Sequence, residues 1–281
     1  MESYTLASET GGSLAVTEAG SPSAPLIILM HGGGQTRHSW RRTSATLAEA
    51  DYHAVAYDAR GHGDSDWASD GDYSFKAHAR DLRAILQNFD RLPVLVGASM
   101  GGLTSLIALG QDMVRAKALV LVDVVPTLIN PGAARIRAFM SRHHRGFATI
   151  DDAVEAVDDY REAGTRGPRS RSIARSLRQH DDGRYYWHWD PRILWDETKL
   201  RDGFVEAELA AAARALTLPV LLIRGGASDV VTDDGVAAFR TLVPHAEVVE
   251  IPSAGHMIVG DDNDMVNDAL LRFLGTLDQR A

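Results

Sequence analysis

One serine in this chain stands where it could act as a nucleophile. Ser99 lies between two glycines in Gly97-Ala98-Ser99-Met100-Gly101. An apolar run, Pro93 to Val96, precedes it, and a helix-like run, Met100 to Gly110, follows. A strand-to-helix turn of this Gly-x-Ser-x-Gly type is so tight that its flanking positions must be small, and it holds the serine hydroxyl outward at the start of a helix. A serine hydroxyl is a weak nucleophile near neutral pH; it needs a base to take its proton and an acid to orient that base. His256, in Pro252-Ser253-Ala254-Gly255-His256, is the candidate base, and Asp229, in Arg224-Gly225-Gly226-Ala227-Ser228-Asp229, is the candidate acid. Each follows an apolar run, so serine, aspartate and histidine come in that order, each at the end of a strand. Asp123, after the run Ala118 to Val122, is the rival acid. The glycine-rich loop before Asp229 favours Asp229, because it lets the side chain approach the histidine from a neighbouring strand.

Acyl chemistry also needs hydrogen-bond donors for a tetrahedral oxyanion. The backbone N–H of Met100, the residue after the nucleophile, is one candidate. The second belongs in the first strand-to-helix loop, His31-Gly32-Gly33-Gly34. Gly33 is the preferred donor, with Gly32 and Gly34 as its near rivals and as backbone that a substrate can approach closely. Met257 beside the base and the aromatic pair Trp187 and Trp189 complete the candidate substrate-binding positions. The two tryptophans fit pocket wall and lid core alike.

The elements that must position these groups are readable in the hydropathy pattern. Tyr4–Leu6 and Leu14–Glu18 alternate around Gly11-Gly12, as an antiparallel edge hairpin does. Leu26–Met30, the run into Ser99, Ala118–Val122 and Val220–Ile223 are continuously apolar, as expected of strands covered on both faces, and His53–Tyr57 is a further strand. Helical patterns run from Ser39 to Glu49, from Ser74 to Asn88 with Ser74 as N-cap, after Ser99, and over Asp234–Leu242 and Asp264–Leu277. Ala246–Ile251 is the last strand. This alternation predicts an α/β fold with a mostly parallel sheet and helices on both faces. It stops between Val124 and Ala215. That segment carries helical stretches near Ala133–His143, Asp151–Ala163, Arg169–Gln179 and Glu206–Ala215, and the patch Tyr185-Tyr186-Trp187-His188-Trp189. It reads as a helical insertion, 124–215, forming a lid on a core of 1–123 and 216–281.

Composition narrows the function classes. The chain has 281 residues, 45% hydrophobic, with 38 acidic against 29 basic side chains and a net charge of −9. Such a chain repels phosphate backbones and anionic membrane surfaces, so neither nucleic acid nor membrane is expected as partner. No cysteine is present, which excludes disulfides, thiolate metal sites and a cysteine nucleophile. No phosphate-binding glycine loop, dinucleotide fingerprint or metal-ligand spacing occurs, so no cofactor and no metal is expected. The polar N-terminus lacks the pattern of a secretion signal, and a cytoplasmic location is expected.

Taken together, His31-Gly32-Gly33-Gly34, Asp58-x-Arg60-Gly61-His62-Gly63-x-Ser65, Gly97-x-Ser99-x-Gly101-Gly102, Arg224-Gly225-x-x-Ser228-Asp229 and Gly255-His256 resemble the α/β-hydrolase superfamily. The resemblance implies an eight-stranded, mostly parallel sheet with a helical cap inserted after the sixth strand. It also implies a Ser99–His256–Asp229 triad. Relatives that open epoxides or cleave carbon–halogen bonds use aspartate where Ser99 stands. Relatives that cleave carbon–carbon bonds of ring-fission products usually have Asn and Trp where Ala98 and Met257 stand. The chain is most similar to carboxylesterases and to cofactor-free perhydrolases. The expected activity is hydrolysis of small to medium, mostly apolar carboxylic esters by a monomer or homodimer. The alternatives are a carbon–carbon hydrolase or perhydrolase, and a non-catalytic receptor using the same pocket.

Overall fold

Five mostly apolar strands, neighbours in space, form the middle of one sheet. The computed structural model describes residues 1–128, 131–160, 170–193, 204–252, 254–255 and 264–278. Strands β1 (Glu2–Ala7), β2 (Ser13–Ala19), β3 (Leu26–Met30), β4 (His53–Tyr57), β5 (Val94–Ala98) and β6 (Ala118–Val122) are followed by a small hairpin, β7 (Leu177–Gln179) and β8 (Tyr185–Trp187). Strands β9 (Val220–Gly225) and β10 (Glu247–Ile251) complete the set. The main sheet has eight strands in the order β1-β2-β4-β3-β5-β6-β9-β10. Its β4-β3-β5-β6-β9-β10 portion is parallel, and β1 and β2 are antiparallel at one edge. This is the eight-stranded, mostly parallel sheet that the motifs imply, and the strands read as buried on both faces are so: every residue of β3, β4, β5, β6 and β9 is buried.

Both faces are covered because successive residues of a strand point to opposite sides. On one face Leu26, Ile28 and Met30 join a cluster with side chains of α2 (Phe75–Leu86), α3 (Met100–Gly110) and α8 (Asp233–Leu242). On the other, Ile27 and Leu29 meet Trp40 and Leu47 of the segment leading into and along α1 (Arg41–Glu49), and Leu270 and Phe273 of α9 (Asp264–Asp278). Ser74 caps α2, its hydroxyl accepting from the N–H of Ala77.

After β6 the chain runs through α4 (Pro131–Arg142), α5 (Ile150–Tyr160) and α6 (Ser170–Arg175). The helix expected to reach Gln179 stops at Arg175. Residues Leu177–Gln179 instead pair with Tyr185–Trp187 around a turn at Gly183, whose φ is +78°. The insertion therefore contains a β-hairpin, and the aromatic patch begins on its second strand and runs past it to Trp189. Met140, Phe147, Ile173, Trp187, Trp189 and Ile193 form a cluster separate from the two sheet faces, with Tyr73 reaching up into it. Helix α7 (Phe204–Arg214), read as the end of the insertion, packs on α3. A Cβ placed on Gly110 would fall 2.3 Å from the Cβ of Ala212, and Leu209 and Ala213 join the sheet's own cluster. Its small residues permit that close approach.

Candidate active site

Ser99 stands between β5 and α3 with φ +47° and ψ −113°, a backbone region that few non-glycine residues adopt. The strained turn is held from both sides. Ser99 N–H donates to the carbonyl of Val122 on the neighbouring strand (3.1 Å), and Leu103 N–H donates to the Ser99 carbonyl (3.1 Å). Packing explains the two flanking glycines. A Cβ on Gly97 would lie 2.4 Å from backbone atoms of Gly101 and Gly102, and one on Gly101 would lie 2.6 Å from Met30. The Ser99 hydroxyl makes no capping bond to its helix, and the residue is half-buried. Met100 is the first residue of α3, so its N–H is one of the helix-terminal donors without an intrahelical acceptor.

The loop after β3 runs beside this turn. A Cβ on Gly32 would lie 3.3 Å from Cβ of Ser99, whereas one on Gly33 would meet nothing within 4 Å. The loop's polar groups are largely committed. Gly32 N–H donates to Oε1 of Gln35 (3.0 Å), and Gly34 N–H to Nε2 of His62 (3.1 Å). The Gly32 carbonyl accepts from Nδ1 of His31 (2.7 Å) and from Gln35 N–H (3.1 Å). His31 also accepts at Nε2 from Ala59 N–H (2.9 Å), which ties this loop to the one after β4. Burial lowers the affinity of both rings for protons, to a pKa of about 4 for His31 and about 3 for His62, so both are neutral at pH 7.

The loop after β4 is itself braced. Asp58, fully buried, accepts from Arg37 N–H (2.6 Å), the Arg37 guanidinium and Asp64 N–H (2.9 Å). Arg60 forms a buried two-point ion pair with Asp81 of α2, at 2.6 and 2.7 Å. These residues fix the loop on which the Gly32–Gly34 loop leans.

After the next two strands, β6 and β9, the two acid candidates separate. Asp123, buried and at φ +49°, accepts from Gly225 N–H (2.9 Å) and from the Ser228 hydroxyl (2.6 Å). Ser228 Oγ in turn accepts from the N–H groups of Val230 and Val231, both at 3.2 Å. Asp123 thus braces the loop that carries Asp229. Asp229 is about one-third exposed, and its Oδ2 lies 3.0 Å from Nη2 of Arg135 on α4. Arg135, which the sequence did not single out, brings the insertion onto this loop.

His256 and Met257 lie outside the described residues. The segment that leads to them is placed: Ala227 N–H donates to the Ala254 carbonyl (2.9 Å), Gly226 N–H to the Ile251 carbonyl (2.8 Å), and a Cβ on Gly225 would lie 2.7 Å from the Gly255 carbonyl. The loop entering His256 therefore packs against the loop bearing Asp229.

Above the Gly32–Gly34 loop sit Trp189 and Met140, whose nearest atoms would lie 3.4 and 3.5 Å from a Cβ on Gly34. Trp187 stacks on Trp189 with ring centroids 4.9 Å apart, and both are buried. They line a small open cleft of about 70 Å³ together with Trp67, Met140 and the histidines His143, His144 and His180. The two tryptophans thus belong to the insertion's own core and to the cleft at once. Among the described residues, no cluster of histidine and acidic side chains could hold a metal ion. No helix among them is long and apolar enough to cross a membrane.

The model of the alpha/beta hydrolase fold family matches residues 25–262. The chain belongs to that family. Among its relatives is the esterase Rv0045c of Mycobacterium tuberculosis, 32% identical over 252 residues, covering 85% of this chain and 79% of that protein. Another is the sn-1-specific diacylglycerol lipase ABHD11 of Mus musculus, 27% identical, covering 91% of this chain and 82% of that protein. A solved structure of the Mycobacterium tuberculosis esterase superposes with a TM-score of 0.75 at 26% identity, covering 98% of this chain and 92% of that one. This α/β hydrolase therefore has ester-cleaving enzymes among its relatives, and it shares the fold of the mycobacterial esterase over nearly its whole length.

Proposed function

We propose that this α/β hydrolase is a serine carboxylesterase acting on small to medium, mostly apolar esters through an acyl-enzyme. The observation that carries the reading is the strained Ser99 turn, with its hydroxyl unused by the helix it starts and its Cβ beside Gly32. Strain of this kind persists where the surroundings over-determine it, and it collects at functional sites.

In this reading Ser99 Oγ attacks the ester carbonyl carbon while His256 takes its proton. Asp229 orients the imidazole and stabilises the imidazolium. The N–H groups of Gly33 and Met100 hold the oxyanion. Two facts support Gly33 over its neighbours. Gly32 and Gly34 already donate to Gln35 and His62. In a trans peptide the N–H points opposite to the C=O, so the bond from His31 to the Gly32 carbonyl aims Gly33 N–H away from that bond. The tetrahedral intermediate then expels the alcohol, which receives the proton from His256. Water, deprotonated by His256, attacks the acyl-Ser99 carbonyl; the acid leaves and Ser99 regains its proton. The choice of Asp229 is supported by the bracing role of Asp123 and by the packing of the 225–229 loop against Ala254 and Gly255. Trp189 and Met140, which line the cleft and lie against Gly34, support an apolar substrate, since such clefts bind mainly through hydrophobic walls. The segment between β6 and α7 would act as the cap that sets chain-length preference, and small esters would be the enzyme's partners.

The test is a panel of p-nitrophenyl esters of increasing acyl length, assayed with the wild type and Ser99→Ala. The reading requires turnover by the wild type and a loss of at least about 10³-fold in the variant. Retention of activity by Ser99→Ala would refute it.

A further inference from the structure

His188 follows β8, in the segment inserted after β6, yet its ring bonds two loops of the core. Nδ1 accepts from Gly63 N–H (2.7 Å), and Nε2 lies 3.2 Å from the Gly34 carbonyl. A backbone N–H can only donate and a carbonyl can only accept, so the ring is neutral with its proton on Nε2. His62 obeys the same logic with the opposite tautomer: Nε2 accepts from Gly34 N–H, and Nδ1 donates to the Arg60 carbonyl (3.1 Å). The two rings lie 6.0 Å apart and hold the N–H and C=O of one residue between them. That residue has φ +74° and follows Gly33 directly.

We propose that His188 is a positioning residue for the oxyanion loop, through which the docked cap fixes the Gly34 backbone and with it the direction of the adjacent Gly33 N–H. This rests on the reading that Gly33 donates to the oxyanion. The neighbouring contacts make the ring a rigid post. Asp190 N–H donates to the Gly61 carbonyl (2.9 Å), the Tyr73 hydroxyl donates to Asp190 (2.5 Å), and Arg178 bonds Asp64 (2.7 Å). The ring is 2% exposed, and its burial near His62, His31 and Arg178 keeps it neutral, the form both bonds require. Cap docking and oxyanion geometry are then one event, and an undocked cap leaves the Gly34 carbonyl without this partner.

Three variants separate positioning from anchoring. Gln at 188 places an amide near Nε2 and can donate to Gly34; Asn places one near Nδ1 and can accept only from Gly63. His188→Ala is expected to lower kcat for a p-nitrophenyl ester about 10- to 100-fold, less than outright loss of an oxyanion donor, with KM within about threefold. His188→Gln recovers most of kcat, and His188→Asn does not. Unchanged kcat in His188→Ala, or recovery by Asn as complete as by Gln, would overturn the proposal. Hydrogen exchange supplies a readout independent of turnover. In His188→Ala, exchange accelerates in the segment 32–35 while β5 keeps its protection; unchanged exchange in 32–35 overturns the proposal, as does equal acceleration in β5. If the wild type cleaves no ester, the proposed activity fails, and the exchange result still decides the role of His188.

Discussion

Nη2 of Arg135 lies 3.0 Å from Oδ2 of Asp229, linking helix α4 to the loop of the proposed catalytic acid. Both side chains are substantially exposed, at 43% and 35%. Pairs so exposed contribute up to about 1 kcal/mol. Arg135→Ala is therefore expected to change kcat/KM by less than about fivefold in steady-state assays. A loss beyond about 50-fold would mean that Arg135 contacts the substrate.

Asp229 and Asp123 respond differently to the same change. Asp229→Asn removes the group proposed to orient His256, so kcat is expected to fall about 10³- to 10⁴-fold while the melting temperature stays near that of the wild type. Asp123→Ala removes the buried acceptor for Gly225 N–H and the Ser228 hydroxyl, and each buried donor left unsatisfied costs about 1–3 kcal/mol. It is expected to lower the unfolding free energy by several kcal/mol in urea titrations. The reverse pattern, with Asp123→Asn inactive and Asp229→Asn active, would transfer the acid's role to Asp123.

The turn at Ser99 tolerates no side chain at Gly97. Since a Cβ there would sit 2.4 Å from backbone atoms of Gly101 and Gly102, the helix start must move to admit it. Gly97→Ala is expected to cost about 3 kcal/mol or more, read as a lowered urea midpoint. A midpoint equal to the wild type's would contradict this packing.

Acid is predicted to destabilise the fold through its buried histidines. Above pH 6.5 a histidine is neutral in both folded and unfolded chains, and its contribution is intact. Below 6.5 the unfolded chain takes up the proton, while the folded state holds His31 neutral to about pH 4 and His62 to about pH 3. The unfolded state then binds more protons, and stability falls with pH by up to about 1.4 kcal/mol per unit for each ring. His78 and His188, both lowered by burial, act in the same direction. Urea unfolding at pH 7, 6 and 5 should show this decline, and His62→Gln should make it shallower. Stability that is flat from pH 7 to 5 would contradict it.

The core was legible because its signals are local. Leu26–Met30 and Ala118–Val122 have no polar residue to expose, and Ser74 precedes a helix that its hydroxyl caps. The insertion was less legible. Leu177–Gln179 and Tyr185–Trp187 are three residues each, too short for a period to show, and only the Asp182-Gly183 turn hints at their pairing. The Ala-rich α7 carries no label saying that its partner is Gly110 of α3, since that fit is tertiary. The site divides in the same way. Ser99 declares itself through adjacent glycines, whereas His188 acts on Gly34 across 154 residues, and no spacing rule reaches that far.

The most direct test of the central claim is labelling with a fluorophosphonate, followed by peptide mapping and residual esterase activity on the same samples. The account predicts one adduct per chain, on Ser99, with activity lost in proportion to its occupancy. Full ester turnover by protein with Ser99 fully modified, or inactivation with the adduct on another residue, would contradict it.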